Sequence, residues 1–328
     1  MTDLLARMIA IPSPSREEAA VADFLEGWLA AEGLAPHRHG NNLWCVRGSG
    51  PVVLLDAHID TVRPASGWTR DPFTPMVEDG RLYGLGANDD GGSVVTLIEA
   101  FRWLENPACT FVLSLSAEEE VSGRGGLESV LPVIEAAVGP IRFGLMGEPT
   151  GMQMAVSERG LMVLDCTAHG RAGHAARGEG VNAIYEALPD ILWFRDHGMN
   201  VTQVEAGTQH NVIPDRCRFV VDVRTSGSNA ALLEEIRAAV RCDVAARSTR
   251  LNGSSIREDH PFVRRGKALG LGTFASPTLS NQALCPFPTV KIGPGDSARS
   301  HTADEYIRLD ELSGAVDLYL QLLDGFTL

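Results

Sequence analysis

The sequence has little positive charge and no long apolar run. Lysine and arginine together number 28 against 42 aspartate and glutamate residues, which gives a formal net charge of −14. Nucleic acids and anionic membranes are bound through basic surfaces, so we expect neither as a main partner, although a local basic pocket for an anionic substrate stays open. No apolar run is long enough to span a bilayer, and the N-terminal residues lack the charged and apolar regions of a signal peptide.

Cysteine is present but not in any paired motif. The six cysteines are scattered along the chain, without a C-x-x-C spacing. This pattern favours reduced, mostly buried thiols, which together with the missing signal peptide predicts a cytoplasmic protein. The chain has 328 residues, more than one ordinary core requires, so two domains are expected.

The first element predicted along the chain is an amphipathic helix over residues 15–31. Ser15 and Glu18 have the spacing of a capping box, and apolar residues recur at helical spacing until Gly33 ends the run. We expect this helix to pack against the core and to carry no chemistry.

Four short apolar strands each lead into histidine or carboxylate side chains. The strands are predicted over residues 52–55, 110–116, 141–146 and 289–292. The side chains that follow them are His58 with Asp60, Glu118 to Glu120, Glu148, and His301. A further pair, Asp89 and Asp90, lies among glycines where a helix over residues 93–104 is predicted to begin.

Each of these groups has an ordinary explanation when it is taken alone. A His-x-Asp pair is usually just hydrogen-bonded, an aspartate at a helix start is usually a cap, and a run of glutamates is usually a solvated turn. A phosphate cradle at Asp89 and Asp90 is disfavoured, because two carboxylates repel phosphate and no P-loop lysine follows.

The order of the groups makes a common site the better interpretation. Helices are predicted between the strands, so much of the sheet should be parallel, and sites in such sheets form outside the carboxyl ends of the strands. Two histidines and several carboxylates there would suit two divalent metal ions bridged by one carboxylate. We favour Zn²⁺, with Mn²⁺ or Co²⁺ as alternatives.

The ordered motifs resemble the M20 family of metallopeptidases and amidohydrolases, which contains acetylornithine deacetylase, succinyl-diaminopimelate desuccinylase and carboxypeptidase G2. The resemblance covers essentially the whole chain. Its motifs are His58-Ile59-Asp60-Thr61-Val62, Gly86-Ala87-Asn88-Asp89, Ala117-Glu118-Glu119-Glu120-Val121 and Gly147-Glu148-Pro149-Thr150. The chain departs from the family pattern in three places: Glu118 stands where aspartate is commoner, Gly91 where lysine is often found, and the segment Thr278-Leu279-Ser280-Asn281 where the family often has G-T-S-D.

The resemblance implies a role for each residue of the predicted site. The metal ligands would be His58 with Glu148 for one ion, Glu120 with His301 for the other, and Asp89 as the bridge. Asp60 would orient His58, as ligating histidines commonly require. Glu119 would be the general base, which takes a proton from the attacking water and passes it to the leaving amine.

Residues 157–256 carry none of these ligands and are predicted to form a small α+β insertion. The predicted elements are a strand over 161–168, a helix over 181–194, strands over 201–205 and 218–223, a helix over 230–240 and a strand over 243–247. The expected fold is therefore α/β, with a discontinuous, mostly parallel-sheet metal domain over 1–156 and 257–328 and helices on both of its faces. The insertion resembles the family's lid and dimerisation domain, which implies a homodimer.

The resemblance also implies substrate contacts. His174, in the segment Gly170 to Ala175, would help to bind the scissile carbonyl, usually in the partner subunit's site. Asn211 and Arg224 would contact the substrate, and Arg224 suits a carboxylate. Ser280 would line the pocket for the acyl group or the α-carboxylate.

The activity that the resemblance implies is removal of the N-acyl group from a small N-acyl amino acid. The loop from Gly293 to Tyr306 looks most like the branch that deacetylates acetylornithine, acetylcitrulline and acetyl-lysine, which suggests arginine or lysine biosynthesis. A desuccinylase, a dipeptidase and an aminoacylase are alternatives within the family. Outside it, a two-metal phosphoesterase would need a basic phosphate clamp, and a metal-dependent binder of amino acids or peptides would not need Glu119.

Overall fold

The computed structural model describes residues 1–106 and 108–328, and the chain divides into two compact units. The first comprises residues 1–157, 255–276 and 280–328, and the second comprises 158–254 and 277–279. The helices are α1 (Thr2–Ile9), α2 (Ala19–Ala31), α3 (Gly91–Trp103), α4 (Leu127–Val138), α5 (Ala183–Asp196), α6 (Asn229–Ala239), α7 (Pro261–Ala268) and α8 (Leu309–Leu323). The strands are β1 (His37–His39), β2 (Asn42–Gly48), β3 (Val52–His58), β4 (Met76–Glu78), β5 (Arg81–Tyr83), β6 (Thr110–Ser116), β7 (Ile141–Met146), β8 (Met154–Glu158), β9 (Gly160–His169), β10 (Gly173–His174), β11 (Asn200–Ala206), β12 (Val212–Ile213), β13 (Arg216–Thr225), β14 (Asp243–Ala246), β15 (Ser254–Ser255), β16 (Thr273–Ser276), β17 (Thr289–Lys291) and β18 (Tyr306–Arg308).

A nine-stranded sheet forms the centre of the first unit. Its order is β1-β2-β6-β3-β7-β17-β8-β15, and β16 also pairs with β8. The four central strands β6, β3, β7 and β17 are parallel, whereas β2 pairs antiparallel with β1 and β6, and β8 pairs antiparallel with β17. Because α3 lies between β3 and β6 in the chain and α4 between β6 and β7, each return to the sheet is a crossover that keeps neighbouring strands parallel. The predicted mostly parallel sheet is confirmed.

Helices cover both faces of this sheet. On β3, Val53, Leu55 and Ala57 pack in one core cluster with α1, α2, α3 and α8, whereas Val52 and Leu54 pack in another with α4. Alternate residues of a strand point to opposite faces, so His58 continues the face that α4 covers. Strand β3 therefore ends with His58 at the edge of the sheet, on the face that α4 covers.

The prediction of a capping box at Ser15 and Glu18 is wrong. Helix α2 begins only at Ala19, and Glu18 is its N-cap without a side-chain cap hydrogen bond. The Ser15 hydroxyl instead donates to Asp60 Oδ2 at 2.7 Å, and Glu18 Oε1 accepts the N–H of Glu118 at 3.2 Å. Ser15 and Glu18 thus bond with residues that follow β3 and β6, and they do not form the predicted capping box at the start of α2.

The second unit is α+β. Its main sheet is antiparallel, in the order β11-β13-β9-β14, and α5 and α6 pack on it around a separate apolar cluster. A short second sheet pairs β10 with β12. Among the described residues of the chain, no helix has the length and apolar character needed to cross a membrane.

Candidate metal centre

The carboxyl ends of the parallel strands bring the predicted metal ligands together. His58 is the last residue of β3, Glu120 follows β6, Glu148 follows β7, and His301 lies in the loop after β17. Asp89 comes from the turn that precedes α3. Five residues that are far apart in the sequence thus meet at one edge of the sheet, as expected for an α/β site.

Asp89 lies between the two histidines. Its Oδ1 is 3.1 Å from His58 Nε2, and its Oδ2 is 3.6 Å from His301 Nε2. Glu120 Oε1 lies 2.9 Å from the same Nε2 of His301. A carboxylate that offers one oxygen towards each histidine has the arrangement that a bridging ligand between two ions needs.

Two overlapping sets of ligand atoms are close enough to hold ions. The ligand atoms of His58, Asp89 and Glu120 lie within 4.8 Å of one another, and so do those of His58, Glu119 and Glu148. Imidazole nitrogen together with carboxylate oxygen is a donor set that Zn²⁺ and similar divalent ions accept. The residues present therefore fit divalent metal ions.

The carboxyl groups of this edge repel one another. The pKa of Glu119 is raised to about 8, mainly by burial; the charge of His58 opposes this rise, and the charges of Glu120, Asp60 and Asp89 add to it. Burial likewise raises the pKa of Glu148 well above its usual range. Such an excess of negative charge is relieved when a divalent cation binds, because the cation becomes the largest local charge.

Asp60 connects the ends of two strands. Nδ1 of His58 lies 2.9 Å from the main-chain oxygen of Asp60 and 3.5 Å from its Oδ1. The same carboxylate accepts the N–H groups of Glu119 and Glu120 at 3.0 and 3.1 Å. Burial opposes its ionisation, but the bonds from His58, Ser15 and Glu119 keep the pKa of Asp60 below its usual value. Asp60 thus positions the predicted general base and a predicted ligand as well as the histidine.

Glu305 is a site residue that the sequence interpretation missed. It is buried, and its carboxylate accepts the N–H groups of Gly86, Asn88 and Asp89 at 3.2, 2.8 and 2.9 Å. It therefore fixes the turn that presents Asp89. The only signal in the sequence was its position shortly after His301 in an acidic loop.

In the second unit, the motifs that contain His174 and Asn211 lie side by side. His174 on β10 opposes Val212 on β12, and the N–H of Ala175 donates to the main-chain oxygen of Asn211 at 3.0 Å. The His174 side chain is exposed, and its Nδ1 accepts the N–H of Ala176 at 3.1 Å. Their contacts with a substrate stay predictions.

Arg224 and Ser280 are in contrasting environments. Arg224, on β13, is exposed and forms two hydrogen bonds with Asp222, at 2.9 and 3.2 Å. A substrate carboxylate would have to compete with Asp222 for this guanidinium. Ser280 is buried in the first unit and accepts the N–H of Gln282 at 3.3 Å, at the start of a 3₁₀ helix over Asn281–Leu284. Its contact with a substrate also stays a prediction.

Comparison with known proteins identifies the class. The fold and the carboxylate-rich site are those of a metal-dependent hydrolase that acts on amide bonds. The sequence model of peptidase family M20/M25/M40 matches residues 54–325. The chain belongs to this family, so the resemblance inferred from the motifs is confirmed.

Relatives with assigned activities are similar over almost their full length. An acetylornithine deacetylase of Proteus mirabilis is 29% identical, covering 99% of this chain and 96% of that protein. A succinyl-diaminopimelate desuccinylase of Xanthomonas campestris pv. campestris is 30% identical, covering 98% and 96%.

Solved structures share the fold. Aminopeptidase PepT from Bacillus cereus superposes with a TM-score of 0.78 at 19% identity, covering 97% of this chain and 96% of that one. The YXEP protein of Bacillus subtilis, described as a dinuclear metal-binding peptidase of the M20 family, superposes with a TM-score of 0.73 at 19% identity, covering 98% and 96%.

The charge of Glu119 leads to a prediction for the metal-free protein. Its pKa in the folded state is about 8 against an ordinary 4.5, so between these pH values the folded chain binds more protons than the unfolded chain. The free energy of unfolding must then fall as the pH rises through this window. We expect the melting temperature of EDTA-treated protein to fall over this range, and to fall less in Glu119→Gln.

A surface glutamate provides the control for this measurement. Glu17 is exposed and pairs with Arg63 at the surface. Glu17→Gln should therefore follow the wild-type pH profile. An equally steep fall in Glu119→Gln and in wild type would show that Glu119 is not the group whose ionisation costs stability.

Proposed function

We propose that this protein hydrolyses the amide bond of a small N-acyl amino acid in the cytoplasm and releases a carboxylic acid and an amine. The observation that carries this proposal is Asp89, whose two oxygens face His58 and His301, together with Glu119, whose carboxylate lies within 4.8 Å of a ring nitrogen of the same His58. A protein that only bound amino acids would not need a positioned base. The six free cysteines are consistent with a reducing compartment.

The ligand set supports two divalent ions. His58 and Glu148 would hold one, Glu120 and His301 the other, and Asp89 would be shared between them. We favour zinc, with cobalt or manganese as alternatives. When bound, such ions polarise a carbonyl group and make water acidic enough to react near neutral pH.

Glu119 is suited to move the proton. A general base works best when its pKa lies near the working pH, and burial moves the pKa of Glu119 in that direction. It would take the proton from the attacking water and give it to the leaving nitrogen, while the N–H bond to Asp60 holds its backbone in place. His174 would stabilise the oxyanion.

For the substrate, we propose an N-acetyl amino acid of the ornithine, citrulline or lysine type, in arginine or lysine biosynthesis. The likeness of the loop from Gly293 to Tyr306 to the deacetylase branch supports an N-acetyl substrate. The relative from Proteus mirabilis is an acetylornithine deacetylase. Arg224 would bind the α-carboxylate, aided by Asn211 and Ser280. The desuccinylase relatives make an N-succinyl substrate the second candidate.

The function is tested by release of free amine from a panel of substrates. Protein loaded with Zn²⁺ or Co²⁺ is offered N-acetyl-ornithine, N-acetyl-citrulline, N-acetyl-lysine, N-succinyl-ornithine, N-succinyl-diaminopimelate and several dipeptides. We expect kcat/KM to be highest for one acetyl amino acid. A preference for succinyl compounds or dipeptides would replace the acetyl assignment, and no turnover with two ions bound would contradict hydrolysis of small amides.

The general base is tested by Glu119→Gln. We expect both metal ions to stay bound and kcat to fall by about 10²–10⁴-fold, the usual contribution of general acid–base catalysis. Glu118→Gln is the matched control, because Glu118 is the adjacent glutamate but faces Arg16. Near wild-type turnover in Glu119→Gln, measured on metal-replete protein, would refute the assignment.

We also propose a homodimer formed through the second unit. Helix α5 exposes four apolar side chains, Ile184, Tyr185, Leu188 and Leu192. Strand β11, which packs near this helix, is an edge strand and exposes Val204. A second copy could cover both the apolar helix face and the unpaired strand edge in a two-fold arrangement.

The dimer is tested by placing charge on the exposed face of α5. Leu188→Glu combined with Leu192→Glu should convert a dimer into a monomer, because two carboxylates would be buried without partners. The measurement is the molar mass by light scattering after size exclusion. Ala231→Glu with Ala238→Glu, both exposed on α6, adds the same charge as a control. A monomeric wild-type protein would contradict the proposal.

A further inference from the structure

A buried asparagine next to Asp89 has no part in the mechanism described above. Asn88 is fully buried, and its amide contacts the loop that carries His301. Its Nδ2 donates to the main-chain oxygen of Asp296 at 3.1 Å and to the hydroxyl of Ser300 at 3.2 Å, and its Oδ1 accepts the N–H of Asp296 at 3.0 Å. The amide thus uses its acceptor and both of its N–H groups on the stretch that ends just before His301.

The position of His301 depends on how its loop is held. The side chain of His301 is 52% exposed, whereas those of Asp89 and Glu120 are 11% and 9% exposed, so packing holds the histidine least. Its φ angle is +59°, a left-handed conformation that costs a residue with a Cβ atom free energy unless surrounding contacts maintain it. Contacts of the loop backbone must therefore direct the imidazole towards Asp89 and Glu120.

The loop has other anchors, but they attach it to other parts of the first unit. The main-chain oxygen of Gly295 accepts the N–H of Gly151 at 2.7 Å, which attaches the loop to the segment after β7. The guanidinium of Arg299 donates to Glu311 of α8 at 2.7 and 3.0 Å. These contacts should keep the loop folded when the amide of Asn88 is removed. What Asn88 adds is a direct connection to the turn that presents Asp89.

The loop backbone packs closely against this amide. A Cβ atom at Gly295 would lie 2.3 Å from Asn88 Oδ1, and Gly295 has a φ of +84°. A glycine is therefore needed where the loop meets the asparagine. The contact can be disturbed from either side, by removing the amide at position 88 or by adding a methyl group at position 295.

We propose that Asn88 is a positioning residue for the metal centre: its amide holds the loop so that His301 faces Asp89, and it thereby determines the affinity for the ion that Glu120 and His301 would hold. This inference rests on the two-metal centre proposed above. It gives Asn88 no contact with the ions or with the substrate, because all the polar atoms of its side chain are bonded to the loop.

The test measures metal binding rather than turnover. Wild type and Asn88→Ala are titrated with Zn²⁺ by calorimetry, which gives the number of ions bound and the affinity of each. We expect Asn88→Ala to bind one of its two equivalents about 10–100-fold more weakly, the usual effect of losing a residue that orients a ligand. The other equivalent should keep its wild-type affinity.

Asn106 provides a matched control at the other end of the parallel strands. It is also buried and lies before β6, and its Nδ2 donates to the main-chain oxygens of Leu323 and Phe326, both at 2.8 Å. Its Oδ1 accepts the N–H of Ala108 at 2.9 Å. Asn106→Ala loses the same three kinds of bond, so its melting temperature should fall as well. Both of its zinc equivalents should nevertheless bind as in wild type.

A second pair of variants tests whether Asn88 acts through His301. His301→Ala removes this ligand, so only one tight equivalent should remain. Adding Asn88→Ala to His301→Ala should not weaken that equivalent further, because the two changes affect the same ion. Further weakening would show that Asn88 acts on Asp89 itself, and it would overturn the assignment to the His301 loop.

The remaining outcomes separate this inference from the proposed function. Two ions bound equally well by wild type and Asn88→Ala would overturn the inference alone, and so would an equal loss of affinity in Asn106→Ala. Fewer than two ions in wild type would overturn the metal centre itself. If Asn88→Ala does not fold, Gly295→Ala disturbs the same contact from the loop and should weaken one equivalent. Wild-type affinity for both ions in Gly295→Ala would then refute the inference.

Discussion

The site depends on the carboxylate of Asp60. It is fully buried, and it accepts the hydroxyl of Ser15 and the N–H groups of Glu119 and Glu120, while His58 packs against it and against its main-chain oxygen. One anion therefore joins the end of β3, the turn after β6 and the segment before α2. A buried carboxylate stays ionised only where hydrogen-bond donors surround it. These donors therefore stabilise the charge of Asp60, and that charge in turn holds the donors in place.

A second constraint is the balance of charge at the edge of the sheet. Asp89, Glu119, Glu120 and Glu148 lie within a few side-chain lengths of one another, and burial and mutual repulsion raise the pKa of Glu119 and Glu148. The charge of His58 opposes this rise at both Glu119 and Glu148 and so offsets part of the repulsion. Divalent cations would offset the rest, so metal binding and the stability of this edge are coupled.

The local predictions succeeded where burial alone determines structure. Strands β6 and β7 have the predicted bounds, since short, mostly apolar runs between helices are typical of buried parallel strands. The capping box failed because α2 begins only at Ala19, and both Ser15 and Glu18 form hydrogen bonds with residues distant in the sequence. Glu305 escaped notice because its role is to bind three backbone N–H groups far from it in sequence, and no spacing pattern records such a contact.

The sequence by itself determined the fold class, the family and the histidine and carboxylate residues that follow the strands. It could do so because the order of the apolar runs, and of the polar residues after them, can be read along the linear chain. Only the tertiary structure decided that Asp89 directs one oxygen towards each histidine and that Asp60 holds the backbone of Glu119 and Glu120. These features arise from register and from the direction of side chains across strands that are distant in the chain, and residue order alone does not specify either.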